Sequence, residues 1–146
     1  SSRFEPPSRD RALTGSGIRA SISAALQSAQ MKPQDIGHVN ANAGGIPADD
    51  RIEAQAIHAE LGDVPVTAPK SYFGDLGASS GAVEMLASVF ALQHGRVPRT
   101  LNYRQPDPEC PVNVVRDASL PADKRSALVL SQSEMGGAAA IVLTAE

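Results

Sequence analysis

The chain has 146 residues, 42% of them hydrophobic, and a formal net charge of −3, the size and composition of one soluble globular domain. Its Lys and Arg residues are scattered, so they form no basic field for a phosphate backbone and nucleic acid is excluded as an expected partner; no apolar run approaches the ~20 residues of a membrane span, and no membrane partner is expected. Aromatics make up only 3%, with no Trp, which leaves the core to Ala, Val, Leu and Ile; the single cysteine, Cys110, excludes an intramolecular disulfide and, with no signal peptide, fits a reducing cytoplasm.

Residues 1–16, SSRFEPPSRDRALTGS, are polar and Pro-bearing without a sustained period, and read as a loop or extension preceding a domain over 17–146. From Gly17, the residues Ile18, Ile22, Ala25, Leu26 and Ala29 fall on one helical face. Thr14 or Ser16 is a suitable cap, and Pro33 ends the helix. A short strand is expected over 37–41. A second helix starts near Asp49 or Asp50, whose carboxylates suit its positive end, and stops at Gly62, burying Ile52, Ala56, Ile57 and Leu61. VPVTA, 64–68, reads as a buried strand. A third helix has Val83, Leu86, Ala87, Phe90 and Ala91 at three and four spacings, predicting that this face is inward, and closes at Gly95. RVPRTLNYRQPDPECP then carries four prolines in sixteen residues, predicting an ordered irregular connection of the kind that often lines a site. VNVV, SALVLS and AAAIVLT are strand candidates, the last two joined in a hairpin. This order is αβαβαβ plus an antiparallel pair, an α/β layer architecture with a mostly parallel sheet.

Several constellations invite a chemical reading. Gly74, Gly77 and Gly81 suggest a phosphate cradle, but Lys70 precedes the glycines where a P-loop places its lysine after them, and the dinucleotide fingerprint spacing is absent. A tight bend with close helix packing is the better reading. His38, His58 and His94 have no companion ligand at metal spacing, and His94 suits the negative end of a helix. Cys110 stands between prolines with no base nearby in sequence, an ordinary thiol. Lys70, at a strand end, and Glu84, near the start of the following helix, are placed to meet as an ion pair, expected to be solvated and worth ~0 to 1 kcal/mol.

In chain order, HVNANAGGIPADDRIEAQAI, APKSYFGDLGASSGAVE, VPRTLNYRQPDPEC and SALVLSQSEMGGAAAIVL resemble the C-terminal half of a β-ketoacyl-acyl carrier protein synthase, over about residues 13–143. The resemblance implies the thiolase-like fold: a mixed five-stranded sheet, its first strand missing here, with helices on its faces. An open sheet edge then has to be covered, paired or used for association. It also implies that the catalytic cysteine belongs to a first half with no counterpart in this sequence, so that the chain is a fragment or one piece of a longer polypeptide. The implied partners are acyl carrier protein, acyl or malonyl thioesters, and a ketosynthase N-terminal half or partner subunit in a dimer. No cofactor and no metal is implied.

Two histidines of the family's second half complete its site by holding the malonyl thioester, assisting loss of carbon dioxide and stabilising the enolate and oxyanion. The first stands in a motif like Asn-Ala-His-Gly-Thr, where this sequence has Asn40, Ala41, Asn42, Ala43, Gly44; the second stands in Lys-Ser-x-x-Gly-His, where it has Lys70, Ser71, Tyr72, Phe73, Gly74, Asp75. Asn42 and Asp75 therefore replace the histidines, while the family's lysine and carboxylate persist as Lys70 and Glu84. The gate loop, Phe-Gly-Phe-Gly-Gly-Thr-Asn in the family, is Ser133, Glu134, Met135, Gly136, Gly137, Ala138, Ala139. An ionised Asp75 accepts hydrogen bonds and repels an anionic intermediate, so condensation is expected to be lost or slowed, a pattern resembling the chain-length factor subunit of polyketide ketosynthases. Two alternatives stand: an active acyltransferase that uses Asn42 as oxyanion donor, Lys70 as cation, Asp75 as base and a nucleophile from the other half, and a stand-alone interaction domain.

Overall fold

A computed structural model describes residues 1–4, 14–116, 118–121, 124–133 and 136–145. In chain order the elements are strand β1 (Ser2–Phe4), helix α1 (Ser16–Ala29), strand β2 (His38–Asn40), helix α2 (Pro47–Leu61), strand β3 (Pro65–Thr67), the single turn α3 (Lys70–Phe73), helix α4 (Ser80–His94), and strands β4 (Arg96–Val97), β5 (Asn113–Val114), β6 (Leu120–Pro121), β7 (Ser126–Gln132) and β8 (Gly137–Thr144). Most of the expected leading loop lies outside the described residues, but its first part is a strand: Ser2–Phe4 pairs antiparallel with β8.

The main sheet has six strands in the order β1-β8-β7-β2-β3-β5. β2 is parallel to β3 and β7, β3 is parallel to β5, and β7 and β8 form the expected antiparallel hairpin. The expectation of a missing strand is corrected: five strands stand without a gap and β1 adds a sixth, covering the β8 edge. A small ribbon of β4 and β6, too short to leave a sequence pattern, lies apart.

On one face of the sheet, α1 and α2 bury an aliphatic cluster that includes Ile18, Ile22, Leu26, Val39, Ile57, Leu128 and Leu130. Ile18, Ile22, Ala25 and Leu26 face inward as their spacing predicts, whereas Ala29 is exposed. The cap is neither Thr14 nor Ser16. Gly15 holds it with a φ of +75°, and a β-carbon there would stand 3.0 Å from Ile52 Cγ2, so the close approach of α1 to α2 selects glycine. In α2, Ala56, Ile57 and Leu61 are buried and Ile52 is partly so. That helix begins earlier than expected, with Pro47 in its first turn, a position at which proline's missing amide costs nothing.

The opposite face departs from the prediction for α4 at the two largest residues of the expected face, while Ala91 is buried as expected and Val83 and Ala87 are half-buried. Its buried residues are Ser80, Glu84, Ser88, Ala91 and Leu92, while Leu86 and Phe90 are each 50% exposed. The reason lies in the sheet below. Asn40, fully buried, donates to the Glu84 main-chain oxygen at 2.6 Å and to Ser88 Oγ at 3.0 Å. A buried amide left unpaired costs about 1–3 kcal/mol, so the helix turns its Ser80/Glu84/Ser88 stripe inward and its large apolar stripe outward.

Candidate functional site

Three segments leave the carboxyl ends of parallel strands and converge: 41–46 after β2, α3 with the following bend after β3, and 132–133 at the end of β7. In open α/β sheets such ends are where ligands bind. Around them lies an open cleft of about 420 Å³ lined by residues including Asn42, Asp50, Glu53, Lys70, Asp75, Ser80 and Ser131.

Lys70 opens α3 directly after β3 and is 8% exposed. Its ammonium donates to the Asn42 main-chain oxygen at 2.8 Å, to Asn42 Oδ1 at 3.0 Å and to Glu84 Oε1. An ammonium has three protons, so this lysine is fully engaged. The pair with Glu84 is buried rather than solvated, with Glu84 fully enclosed; helix α4 carries the carboxylate under the sheet end instead of into water. Burial pushes the Glu84 carboxyl above its ordinary range, and the hydrogen bond and charge of Lys70 pull against it.

This contact fixes the side chain of Asn42. Lysine only donates, so the atom facing it is the amide oxygen. Asn42 Oδ1 also lies 3.4 Å from the Gln132 amide. The Nδ2 group is turned toward Gly44, where a β-carbon would stand 3.5 Å away. Among the described residues Asn42 Nδ2 makes no hydrogen bond, which leaves a donor at the cleft.

Asp75 is exposed, and its Oδ1 accepts from the Gly77 amide and from Ser80 Oγ, both at 2.8 Å. Ser80 Oγ in turn accepts from the Leu76 amide at 2.8 Å. The Ser80 hydroxyl, then the Gly77 amide, hold the Asp75 carboxyl below the usual carboxylate range, so it is an anion at neutral pH and organises the bend into α4 from the cleft wall. Thus Asn42, Lys70 and Asp75 share one cleft and Glu84 stands behind Lys70. The glycines serve the turn: Gly74 and Gly77 have positive φ, while Gly81 makes only an ordinary contact, 3.7 Å from Ser131 Oγ to a β-carbon built there.

Sequence reasoning missed Glu53. It is 3% exposed, its Oε1 accepts from the Asn42 amide and its Oε2 from the Ala43 amide, each at 2.8 Å. Burial pushes its carboxyl up to about 7 against the pull of those two amides. The available signal was position: Glu53 lies three and four residues before Ala56 and Ile57, on the inward face of α2. His38 was undervalued too. It is fully buried, neither ring nitrogen has a hydrogen-bond partner among the described residues, and burial lowers it to about 4.

The remaining candidates stay apart from the cleft. His58 and His94 are exposed, and among the described residues no group of His, Cys, Asp or Glu is arranged to hold a metal ion. Burial and the charge of Asp107 push the Cys110 thiol up, away from a reactive thiolate. In the gate-loop segment, Ser133 lines the cleft and its amide donates to the Gly137 oxygen at 2.9 Å; Glu134 and Met135 lie outside the described residues. No helix among the described residues is long and apolar enough to cross a membrane.

Comparison with known proteins identifies the family and the fold. Residues 7–104 match the family model described as beta-ketoacyl synthase, C-terminal domain. Nodulation protein E of Rhizobium leguminosarum bv. trifolii is 33% identical over 130 residues, covering 86% of this chain and 32% of its own length. The tetracenomycin polyketide synthase ketoacyl synthase alpha subunit of Streptomyces glaucescens is 37% identical over 105 residues, 69% of this chain and 25% of its own length. Among solved structures, the ishigamide ketosynthase/chain length factor superposes with a TM-score of 0.91 at 30% identity, over 99% of this chain and 36% of that one. The chain therefore spans a quarter to a third of the length of the curated relatives it matches. With a family model matched over most of its length and this fold, the chain belongs to the beta-ketoacyl synthase C-terminal domain family.

Proposed function

We propose that this chain is the second half of a ketosynthase-type polypeptide of fatty acid or polyketide synthesis whose condensing chemistry is impaired, and that it serves as the partner or chain-length subunit of a cysteine-bearing ketosynthase. Acyl carrier protein and its acyl or malonyl thioesters are the expected partners of the whole assembly. The observation that carries this reading is the charge at the cleft. Lys70 has no proton left to offer, Asp75 is an anion, and Asp49 and Asp50 line the same cleft. Loss of carbon dioxide from a malonyl thioester builds negative charge on an enolate, and stabilising it needs preorganised donors. Here the Asn42 side-chain amide is a donor that no described group takes up, and Asp49, Asp50 and Asp75 line the same cleft. The likeness to a ketosynthase/chain length factor structure supports the same assignment.

The test is condensation by the full polypeptide with malonyl- and acyl-loaded carrier protein. The expected result is no 3-oxoacyl product; turnover typical of an ordinary synthase overturns the proposal. A second reading, an active synthase, is favoured by one feature, the orientation of Asn42 Nδ2 into the cleft. It makes Asp75 the base. Asp75→Asn keeps an acceptor for Gly77 and Ser80 while removing the charge, so unchanged or raised residual activity supports impairment, and loss of measurable activity supports the second reading.

A further inference from the structure

Two consecutive main-chain amides end on one buried side chain, since Glu53 takes the Asn42 proton on one oxygen and the Ala43 proton on the other, each at 2.8 Å. The loop they belong to is not at ease by itself. Ala43 has a φ of +40°, in the left-handed region that costs an L-residue roughly 1 kcal/mol. From the other side Lys70 grips the same residue by its main-chain oxygen and by Oδ1. Asn42 is thus held at its amide by Glu53 and at both oxygens by Lys70, and its Nδ2 is what remains to face the cleft.

We infer that Glu53 is a positioning residue: its carboxylate clamps the Asn42–Ala43 main chain and thereby sets the direction in which the Asn42 side-chain amide donates into the cleft. Only the ionised form does this fully, because a carboxylate offers acceptor sites on both oxygens whereas a carboxylic acid must spend one as a donor. The surroundings keep the clamp near balance. Asp50 on the same helix opposes ionisation and the Gln132 side chain at the end of β7 favours it; Lys70 shares the cleft with Glu53, and Tyr103, Asp107 and Cys110 of the irregular connection share a second cavity wall with it. Burial against the two amides puts the midpoint at about 7. The clamp is closed above neutrality and loosens below it.

This inference rests on reading the Asn42 cleft as the site, and it is independent of whether that site turns over. The experiment is a pH titration of the isotopically labelled 146-residue chain, following the main-chain amides of Asn42 and Ala43, the Asn42 side-chain NH₂ and the Glu53 carboxyl carbon. All four are expected to titrate with one midpoint about 7. In Glu53→Gln, which keeps the shape but offers one acceptor, the amide titrations disappear and solvent exchange of the two main-chain amides accelerates about tenfold. A purely structural glutamate does not move the Asn42 NH₂ with pH. Amides that stay flat while the carboxyl titrates, a carboxyl that stays ionised across pH 5–9, or titrations that persist in Glu53→Gln each overturn the inference. Should Glu53→Gln not fold, the wild-type comparison of carboxyl and amide midpoints decides alone. Normal condensation by the full polypeptide would overturn the proposed impairment and leave these titrations as they are.

Discussion

The two faces of the sheet are built on opposite rules. Toward α1 and α2, aliphatic side chains pack on aliphatic side chains, and the one buried carboxyl of these helices, Glu53, sits at the rim where the Asn42–Ala43 loop caps it. Toward α4, Asn40, Ser88, Glu84 and Lys70 are buried beside Ala91 and Leu92, and the large apolar residues Leu86 and Phe90 are each half in water. Periodicity tells which residues share a helix face, but the partner layer decides which face goes in. An apolar stripe is inward only where the surface beneath it is apolar, and under α4 that surface carries a buried amide that demands hydrogen-bonding partners.

That contrast can be broken most sharply at the buried pair. Lys70→Ala leaves Glu84 charged and enclosed, a change expected to cost ~3–5 kcal/mol, read as a shift of the denaturant midpoint. The double change Lys70→Met with Glu84→Leu removes both charges and should recover most of that loss while emptying the cleft of its anchor. On the other face, Ile22→Ala should cost ~2–5 kcal/mol through lost burial and the cavity left behind, with no double change to rescue it.

The buried titrating groups sharpen the comparison through pH. His38, on the polar face, has its folded value depressed to about 4 from 6.5, so the stability it contributes is present above pH 6.5 and is lost as pH falls toward 4, about 3 kcal/mol in all. Glu53 has its value raised to about 7 from 4.5, so its contribution has the reverse sign: present below pH 4.5 and lost as pH rises through 7, again about 3 kcal/mol. Between pH 4.5 and 6.5 the two slopes cancel. Denaturant titrations across that range should show His38→Leu losing stability as pH rises and Glu53→Gln losing it as pH falls. Parallel curves for the two variants would contradict the assignment. The smallest effect belongs to the outward stripe: Leu86→Ser and Phe90→Ser should each change the stability of this chain by no more than about 0.5 kcal/mol, as judged by thermal midpoint.

These contrasts also explain what was legible in the sequence. The inward faces of α1 and α2 follow from spacing because both pack on aliphatic side chains; that of α4 does not, since Glu84 and Ser88 read as surface residues until Asn40 is seen beneath them. Ser2–Phe4, Arg96–Val97 and Leu120–Pro121 are two or three residues long, too short for alternation to register. Of the site, Asn42, Lys70, Asp75 and Glu84 were legible as positions in ordered motifs, and the structure gathers them. The burial of the Lys70–Glu84 pair was not, because desolvation depends on the elements packed around it. Glu53 was passed over for a related reason: a glutamate on a helix is a solvated charge until a strained loop folds over it.

The central claim is that carboxylates and a spent lysine surround the place where an enolate would have to form. Its most direct measure is carbon dioxide released from malonyl-loaded carrier protein by the full polypeptide that contains this chain. The account predicts release at the uncatalysed background, unchanged when Asn42→Ala removes the side-chain amide donor. Release at the rate of an ordinary synthase, abolished by Asn42→Ala, would contradict it.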